Sequence, residues 1–314
     1  MTQARKVGII GLGHVGPHVA NSLLLQGLVD ELYLCDIDAK KCRAEWQDLH
    51  DSLSFCPYNA HVFDCGDRYE ELAGCDVIVN AAGKVTLCAE NRDGELFFGT
   101  DAVRTWANRV VDAGFKGIFV TISNPCDVIA TEIWHLTGYD PKRIIGSGTG
   151  LDSSRLRAQI SFACGDLDPK SINAYMIGEH GASMIAAWKS ASISGKLLSE
   201  LAQEYPERFA FDKTQVEKLG REGGYVAYEG KQCTEYAVAN SAVRVIAAVS
   251  TTSTASWQRP RSWKGNTAKR ASSPRCRASS AARALSKCWN SISPVRNWAA
   301  STPAASTFAR TSRV

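Results

Sequence analysis

A glycine pattern, GLGHVG, follows the first apolar segment of the chain and restricts its fold more than any other feature. The segment KVGIIG predicts a buried strand, and the glycines open an amphipathic helix over residues 14–26. A strand that turns through three glycines into a helix is typical of a dinucleotide-binding βαβ unit. Gly11 permits the tight turn, Gly13 lets a pyrophosphate approach the backbone, and Gly16 lets helix and strand pack closely.

Short apolar strands then alternate with helical segments. The predicted strands are ELYLCD, DVIVNA and GIFVTIS, and the predicted helices cover residues 39–53, 95–112 and a segment after Pro125. This rhythm predicts an α/β fold whose N-terminal domain, residues 1–148, is a doubly wound parallel (Rossmann) sheet.

The alternation becomes irregular after about residue 147. A helix over residues 152–164, strands near 172–177 and 184–188, and helices near Lys213 and Thr234 predict a second, α+β substrate domain over residues 149–249. This domain is expected to be truncated, because the pattern of a folded protein stops near residue 250.

Residues 250–314 differ in composition from the rest of the chain. They hold twelve of the 36 basic residues and no acidic residue, which leaves 24 basic against 32 acidic residues before them. The segment is rich in Ser, Ala and Arg and has no sustained apolar period, so it predicts a poorly ordered basic tail. A nucleic-acid-binding arm is the alternative. We favour the interpretation that this segment is translated out of frame. When it is written in GC-rich codons and translated in a neighbouring frame, it can give amphipathic, charged segments.

The remaining composition excludes several classes of protein. No apolar run approaches the roughly 18 to 20 residues that cross a bilayer, and the N-terminus leads directly into a strand, so we expect a cytoplasmic protein without a membrane partner. The eleven cysteines contain no CxxC pair and predict reduced thiols. Cysteine and histidine do not cluster along the sequence, so no metal site is predicted.

Asp36 ends the second predicted strand, where an acid can accept hydrogen bonds from both ribose hydroxyls of an adenosine. Ile37 and Asp38 follow it, so no arginine is placed to hold a 2′-phosphate, and the carboxylate would repel one. NAD is therefore the predicted cofactor in preference to NADP. A plain αβ turn with an acid that caps the helix is the alternative.

His180 stands between two glycines in GEHG, at the end of a predicted strand. An imidazole near neutrality suits proton exchange with a hydroxyl group. In LDSSR, Asp152 and Arg155 are three residues apart at a helix start and share one face. The aspartate could orient the imidazole and the arginine could clamp a carboxylate. A helix cap with an exposed ion pair is the alternative for these two residues.

SNPCD places Asn124 directly after a strand, where open parallel sheets bind their ligands. Its amide could contact a nicotinamide edge or a substrate oxygen, and a simple turn is the alternative. With this motif the chain resembles the lactate and malate dehydrogenase family, closest to the L-2-hydroxyisocaproate dehydrogenase branch. GxGxxG, SNPxD, LDSxR and GEHG occur in the family's order, and the resemblance runs from Lys6 to about Val249.

The resemblance implies a role for each matching residue. His180 would donate and accept the proton, Asp152 would be its partner, and Arg155 would bind the substrate carboxylate. Arg92, on the loop after the fourth strand, would polarise the carbonyl, with a solvated loop charge as the alternative. The cofactor contacts implied are Gly11, Gly13, His14, Val15, Gly16, Asp36, Ala82, Gly83 and Asn124. For His14 itself, we favour the alternative that it is a loop residue that faces solvent.

The resemblance also implies a substrate and an assembly. Thr86 stands where a malate enzyme would need arginine, and Thr234 and Val238 resemble the far wall of the pocket, so an aliphatic 2-oxo or 2-hydroxy acid is predicted. A malate dehydrogenase and a catalytically inactive, frameshifted chain are the alternatives. The helix that contains Trp46 and His50 resembles one that packs across a subunit boundary, which predicts a homo-oligomer, a dimer or tetramer, if the fold is complete; a Trp that faces the core is the alternative.

Overall fold

The computed structural model describes residues 4–84, 87, 95–181 and 183–252. A six-stranded parallel sheet, in the order β3-β2-β1-β4-β5-β6, forms the first part of the fold. Its strands are β1 (Lys6–Ile10), β2 (Glu31–Cys35), β3 (His61–Gly66), β4 (Val77–Asn80), β5 (Ile118–Thr121) and β6 (Ile144–Gly146). The expected doubly wound parallel sheet is therefore present.

Strand β1 lies at the centre of this sheet, with β2 on one side and β4 on the other. Four of its five residues are buried, as expected for a parallel strand that is covered on both faces. The helices that accompany the sheet are α1 (Val15–Leu25), α2 (Ala39–Ser52), α3 (Leu96–Asp112) and α4 (Cys126–Thr137).

Two strands of the sheet were absent from the sequence prediction. Strand β3 lies at one edge and alternates between exposed His61 and Phe63 and buried Val62, so it has no continuous apolar run. Strand β6 lies at the other edge and is only three residues long. Edge position and shortness explain why neither strand gave a recognisable pattern.

The second part of the fold combines short antiparallel strands with helices. The strands are β7 (Ile172–Asn173), β8 (Met176–Ile177), β9 (Ile185–Ala186), β10 (Ser192–Ile193) and β11 (Lys196–Leu197). The helices are α5 (Gly150–Ala163), α6 (Leu198–Glu204), α7 (Pro206–Phe209), α8 (Lys213–Lys231) and α9 (Tyr236–Thr252). Helix α5 packs along α8.

Helix α9 packs against α1 and belongs to the same core as the sheet. Ala242, Val243 and Ile246 are almost completely buried together with Val7 and Val19 of the first part. The helix ends at Thr252, and the rest of the basic tail, residues 253–314, lies outside the described residues.

Helix α2 packs on β3 through Trp46. The indole N–H donates a hydrogen bond to the Val62 carbonyl oxygen at 2.8 Å, and the His50 ring stacks on the indole. The tryptophan is partly buried against the core of its own chain. Among the helices that the structure describes, none has both the length and the apolar character needed to cross a membrane.

Candidate active site

Two of the three glycines in the loop between β1 and α1 lie where no side chain fits. Gly11 has a φ of +92°, and a β-carbon on it would lie 2.5 Å from the backbone nitrogen of Ala82. A β-carbon on Gly16 would lie 2.1 Å from the Gly11 carbonyl oxygen, so a side chain there would force α1 away from the strand. Gly13 has no heavy atom within 4 Å of the same position, which leaves open space above the loop for a phosphate.

Asp36 lies at the end of β2 and supports this loop. Its Oδ2 accepts a hydrogen bond from the Leu12 backbone N–H at 2.7 Å, and its Oδ1 accepts one from the Asp38 N–H at 2.9 Å. A carboxylate offers about four lone-pair directions, so two acceptor positions remain for ribose hydroxyls. The acid therefore fits the adenosine end of a bound NAD and also fixes the turn that faces it.

The candidate catalytic residues meet at the start of α5. His180 Nδ1 lies 2.5 Å from Asp152 Oδ2, and an Arg155 Nη1 N–H donates to Asp152 Oδ1 at 3.2 Å. The aspartate side chain is completely buried, whereas the histidine side chain keeps 25% of its surface exposed. One carboxylate thus holds both the imidazole and the guanidinium group, and the imidazole stays accessible.

Two hydrogen bonds place the histidine segment on this helix. Thr149 Oγ1 donates to the Met176 carbonyl oxygen at 2.6 Å, and the Met176 N–H donates to Ser153 Oγ at 2.9 Å. They tie β8 to the first turn of α5, and Gly178, with a φ of +106°, then turns the chain toward His180. Neither Thr149 nor Ser153 was predicted as a site residue. The only sequence sign of this role is that Ser153 lies inside the LDSSR motif.

Two consecutive glycines of α8 lie against the arginine. A β-carbon on Gly224 would lie 3.0 Å from Arg155 Nη2 and 3.2 Å from its Cζ, and one on Gly223 would lie 3.5 Å from its Cδ. The guanidinium group occupies the space that a side chain at residue 224 would fill. Nothing in the sequence links this glycine to Arg155, because the contact depends on how α5 and α8 pack.

One cavity of about 890 Å³ connects the glycine loop with this cluster. The predicted site residues on its wall are Gly11, Gly13, His14, Val15, Asp36, Ala82, Gly83, Asn124, Arg155, His180 and Thr234. Gly16 packs beneath the loop, and Asp152 lies behind the histidine. Tyr225 and Tyr228 of α8 also line the cavity, although neither was predicted as a site residue.

Two predicted residues, Thr86 and Arg92, lie outside the described residues. Cys126 lines the cavity, and burial raises the pKa of its thiol to about 12. The thiol therefore stays protonated at neutral pH, which disfavours it as a nucleophile.

The amino-acid sequence matches two family models and several known proteins. Residues 5–146 match the family model of the lactate/malate dehydrogenase NAD binding domain. Residues 149–259 match the model of the lactate/malate dehydrogenase alpha/beta C-terminal domain. An L-lactate dehydrogenase of Fusobacterium nucleatum subsp. nucleatum is 40% identical over 250 residues, which are 79% of this chain and 77% of that protein.

Solved structures give the same result. A lactate dehydrogenase from a Medee basin deep-sea metagenome library superposes with a TM-score of 0.72 at 31% identity, over 81% of this chain and 79% of that one. A Cryptosporidium parvum malate dehydrogenase superposes with a TM-score of 0.71 at 27% identity, over 78% of each chain. The two family models and the relatives together establish that this chain belongs to the lactate/malate dehydrogenase family of NAD-dependent 2-hydroxy acid dehydrogenases.

Proposed function

We propose that this chain catalyses the reversible reduction of an aliphatic 2-oxo acid to the L-2-hydroxy acid, with NADH as the reductant. The observation that carries the proposal is the His180–Asp152–Arg155 cluster, whose histidine and arginine line the same cavity as the glycine loop. A proton donor and a carboxylate clamp thus lie in the cavity that receives the dinucleotide.

Each residue has a distinct part in the proposed reaction. Arg155 binds the substrate carboxylate, because a guanidinium has five N–H donors in a planar fork that matches two carboxylate oxygens. His180 gives its proton to the substrate oxygen, and buried Asp152 stabilises the imidazolium form before transfer and fixes the ring. Bound NADH supplies the hydride. Asn124 contacts the nicotinamide edge or the substrate oxygen, and Arg92 polarises the carbonyl, as the family resemblance implies.

The aliphatic preference rests on the resemblance at Thr86 and on the cavity wall. Thr234, Val238 and the two tyrosines of α8 offer no cation to a distal carboxylate. The lysines and arginines that line the cavity, among the residues the structure describes, are Lys41, Lys84 and Arg155. Lys41 lies in the first turn of α2, shortly after Asp36 and the proposed adenosine position, which leaves Lys84 as the cation that a dicarboxylate could use. The hydroxyisocaproate-like branch is the more specific form of this proposal.

Substrate comparison tests the proposal directly. We expect the full chain to oxidise NADH with 2-oxoisocaproate or pyruvate at a higher kcat/KM than with oxaloacetate, because burying an unpaired carboxylate is costly. The loss of NADH absorbance in steady-state assays gives kcat/KM for each of the three oxo acids. A preference for oxaloacetate would support the malate alternative instead. Binding of NADH without turnover of any oxo acid would support the inactive chain and overturn the proposal.

Gly224→Ala is expected to raise the KM for the oxo acid by about 10- to 150-fold, since displacing one charge-assisted hydrogen-bonding partner costs roughly 1.5–3 kcal/mol. The added methyl group would press on the Arg155 guanidinium. NADH affinity, measured by fluorescence titration, should not change.

Gly230→Ala is the matched control, because it lies in the same helix and its β-carbon position has no heavy atom within 4 Å. Both substitutions gain similar helix propensity, about 1 kcal/mol. Equal KM values in the two variants would remove Gly224 from the proposed carboxylate site.

The proposal also includes a cytoplasmic location, which rests on the sequence pattern, and a homo-oligomer, which is carried over from the family resemblance. Size-exclusion chromatography with light scattering measures the assembly.

A further inference from the structure

A second group of chemically distinctive side chains includes two residues that line the cavity, His14 and Cys233, and the neighbouring Glu235. His14 of the glycine loop approaches Glu235, with 3.2 Å between Nδ1 and Oε1, and Cys233 Sγ lies 3.9 Å from the same Nδ1. The potential ligand atoms of the three residues all lie within 4.8 Å of one another. We propose that His14, Cys233 and Glu235 bind a divalent transition-metal ion of the zinc class.

The spacing of these atoms agrees with tetrahedral coordination. Zinc binds imidazole nitrogen and carboxylate oxygen at about 2.0–2.2 Å and thiolate sulfur at about 2.3 Å, which separates neighbouring ligand atoms by about 3.3–3.7 Å. The observed nitrogen–oxygen and sulfur–nitrogen distances of 3.2 and 3.9 Å lie close to this range. Small side-chain rotations, without backbone movement, would complete the geometry.

The types of ligand select the class of ion. A thiolate with an imidazole and one carboxylate suits zinc and its neighbours in the first transition series, whereas magnesium and calcium prefer sites made entirely of oxygen. Binding releases the thiol proton of Cys233 to solvent, since the thiolate is the ligand form.

A fourth ligand and an entry path are both available. His18 lies one helical turn after His14, and its Nε2 is 3.8 Å from Glu235 Oε2. The side chain of His14 is exposed, whereas Cys233 is buried, so an ion can enter from solvent and reach the sulfur. Water or His18 can complete four-coordination.

The ligands come from two distant parts of the chain. His14 opens α1, and Cys233 and Glu235 lie directly before α9, more than 200 residues later. Because His14 is so far from the other two ligands in sequence, the spacing of cysteine and histidine along the chain gives no sign of this cluster. A bound ion would join the phosphate-binding loop to α9.

A competing cation is already present at the site. The Lys231 ammonium forms an ion pair with Glu235, and a metal ion must displace it. The side chain of Lys231 is more than one-third exposed, so the ammonium can move into solvent. Replacing this lysine by an uncharged residue should therefore tighten metal binding, an effect that misfolding would not produce.

Metal titration of the reduced, nucleotide-free full chain tests the proposal. Co²⁺ is the spectroscopic probe, because a thiolate ligand gives a sulfur-to-cobalt charge-transfer band, and Zn²⁺ is then titrated by competition. We expect Cys233→Ser to abolish the band and His14→Asn to weaken Zn²⁺ binding about 100-fold, since even loss of a residue that only supports a ligand costs about 10- to 100-fold. Lys231→Met should strengthen it.

Cys56→Ser and His61→Asn, which lie outside the cluster, are the matched controls and should leave the band unchanged. Zn²⁺ should also raise the midpoint of thermal unfolding of the parent chain more than that of His14→Asn, because a ligand that binds only the folded state stabilises it. A band that persists in Cys233→Ser, or a Zn²⁺ affinity that Lys231→Met and His14→Asn leave unaltered, would refute the site.

Discussion

His180→Asn is expected to lower kcat by about 10²- to 10⁴-fold, the usual contribution of general acid–base catalysis, while NADH binds as before. An asparagine amide cannot give a proton to the developing alkoxide. The side chain places an amide NH₂ near the position of Nδ1 and can still donate one hydrogen bond to the Asp152 carboxylate, so the local fold should persist. Single-turnover kinetics with preformed NADH complex measure the chemical step directly.

His61→Asn provides the control for this experiment, because it makes the same substitution at an exposed position on the edge strand β3. We expect it to retain the parent kcat. If His180→Asn lost NADH binding along with turnover, the histidine would be supporting the cavity instead of transferring a proton.

Asp152→Asn is expected to lower kcat by about 10³- to 10⁴-fold, as removal of the charge from a buried His–Asp pair does elsewhere. The carboxylate is fully buried and bonds to both His180 and Arg155. A neutral amide of the same shape cannot stabilise the imidazolium by charge, and its NH₂ group cannot accept from either partner. Because the arginine loses its anchor too, KM for the oxo acid should rise together with the fall in kcat.

Asp166→Asn is a suitable comparison for this variant. Asp166 is exposed and has a φ of +55°, a backbone conformation that asparagine tolerates well. It should behave like the parent chain in kcat, KM and unfolding midpoint. A normal KM in Asp152→Asn with only kcat reduced would show that Arg155 keeps its position without the carboxylate.

The sequence predicted those parts of the fold and site that depend on local pattern. The glycine loop, strands β1, β2, β4 and β5, and the helix that presents Asp152 and Arg155 all follow from apolar period and residue spacing. Edge strands β3 and β6 did not, because one is half exposed and the other is very short.

Features that depend on packing between distant segments gave no sequence signal. Gly224 has a role only because α8 lies along α5, and the approach of His14 to Cys233 requires α1 and α9 to be neighbours. The same is true of Thr149 and Ser153. Hydroxyl groups are common near the start of a helix, and only the position of β8 shows that these two bind the backbone of Met176.

The packing of α9 also determines how this protein can be dissected. Ala242, Val243 and Ile246 complete the hydrophobic core beside α1, although they follow the nucleotide-binding segment by about a hundred residues of chain. A fragment that stopped at the end of the Rossmann sheet would expose that apolar surface to water and would be prone to aggregate. We therefore expect the nucleotide-binding segment, although continuous in sequence, to depend on α9 for a complete core.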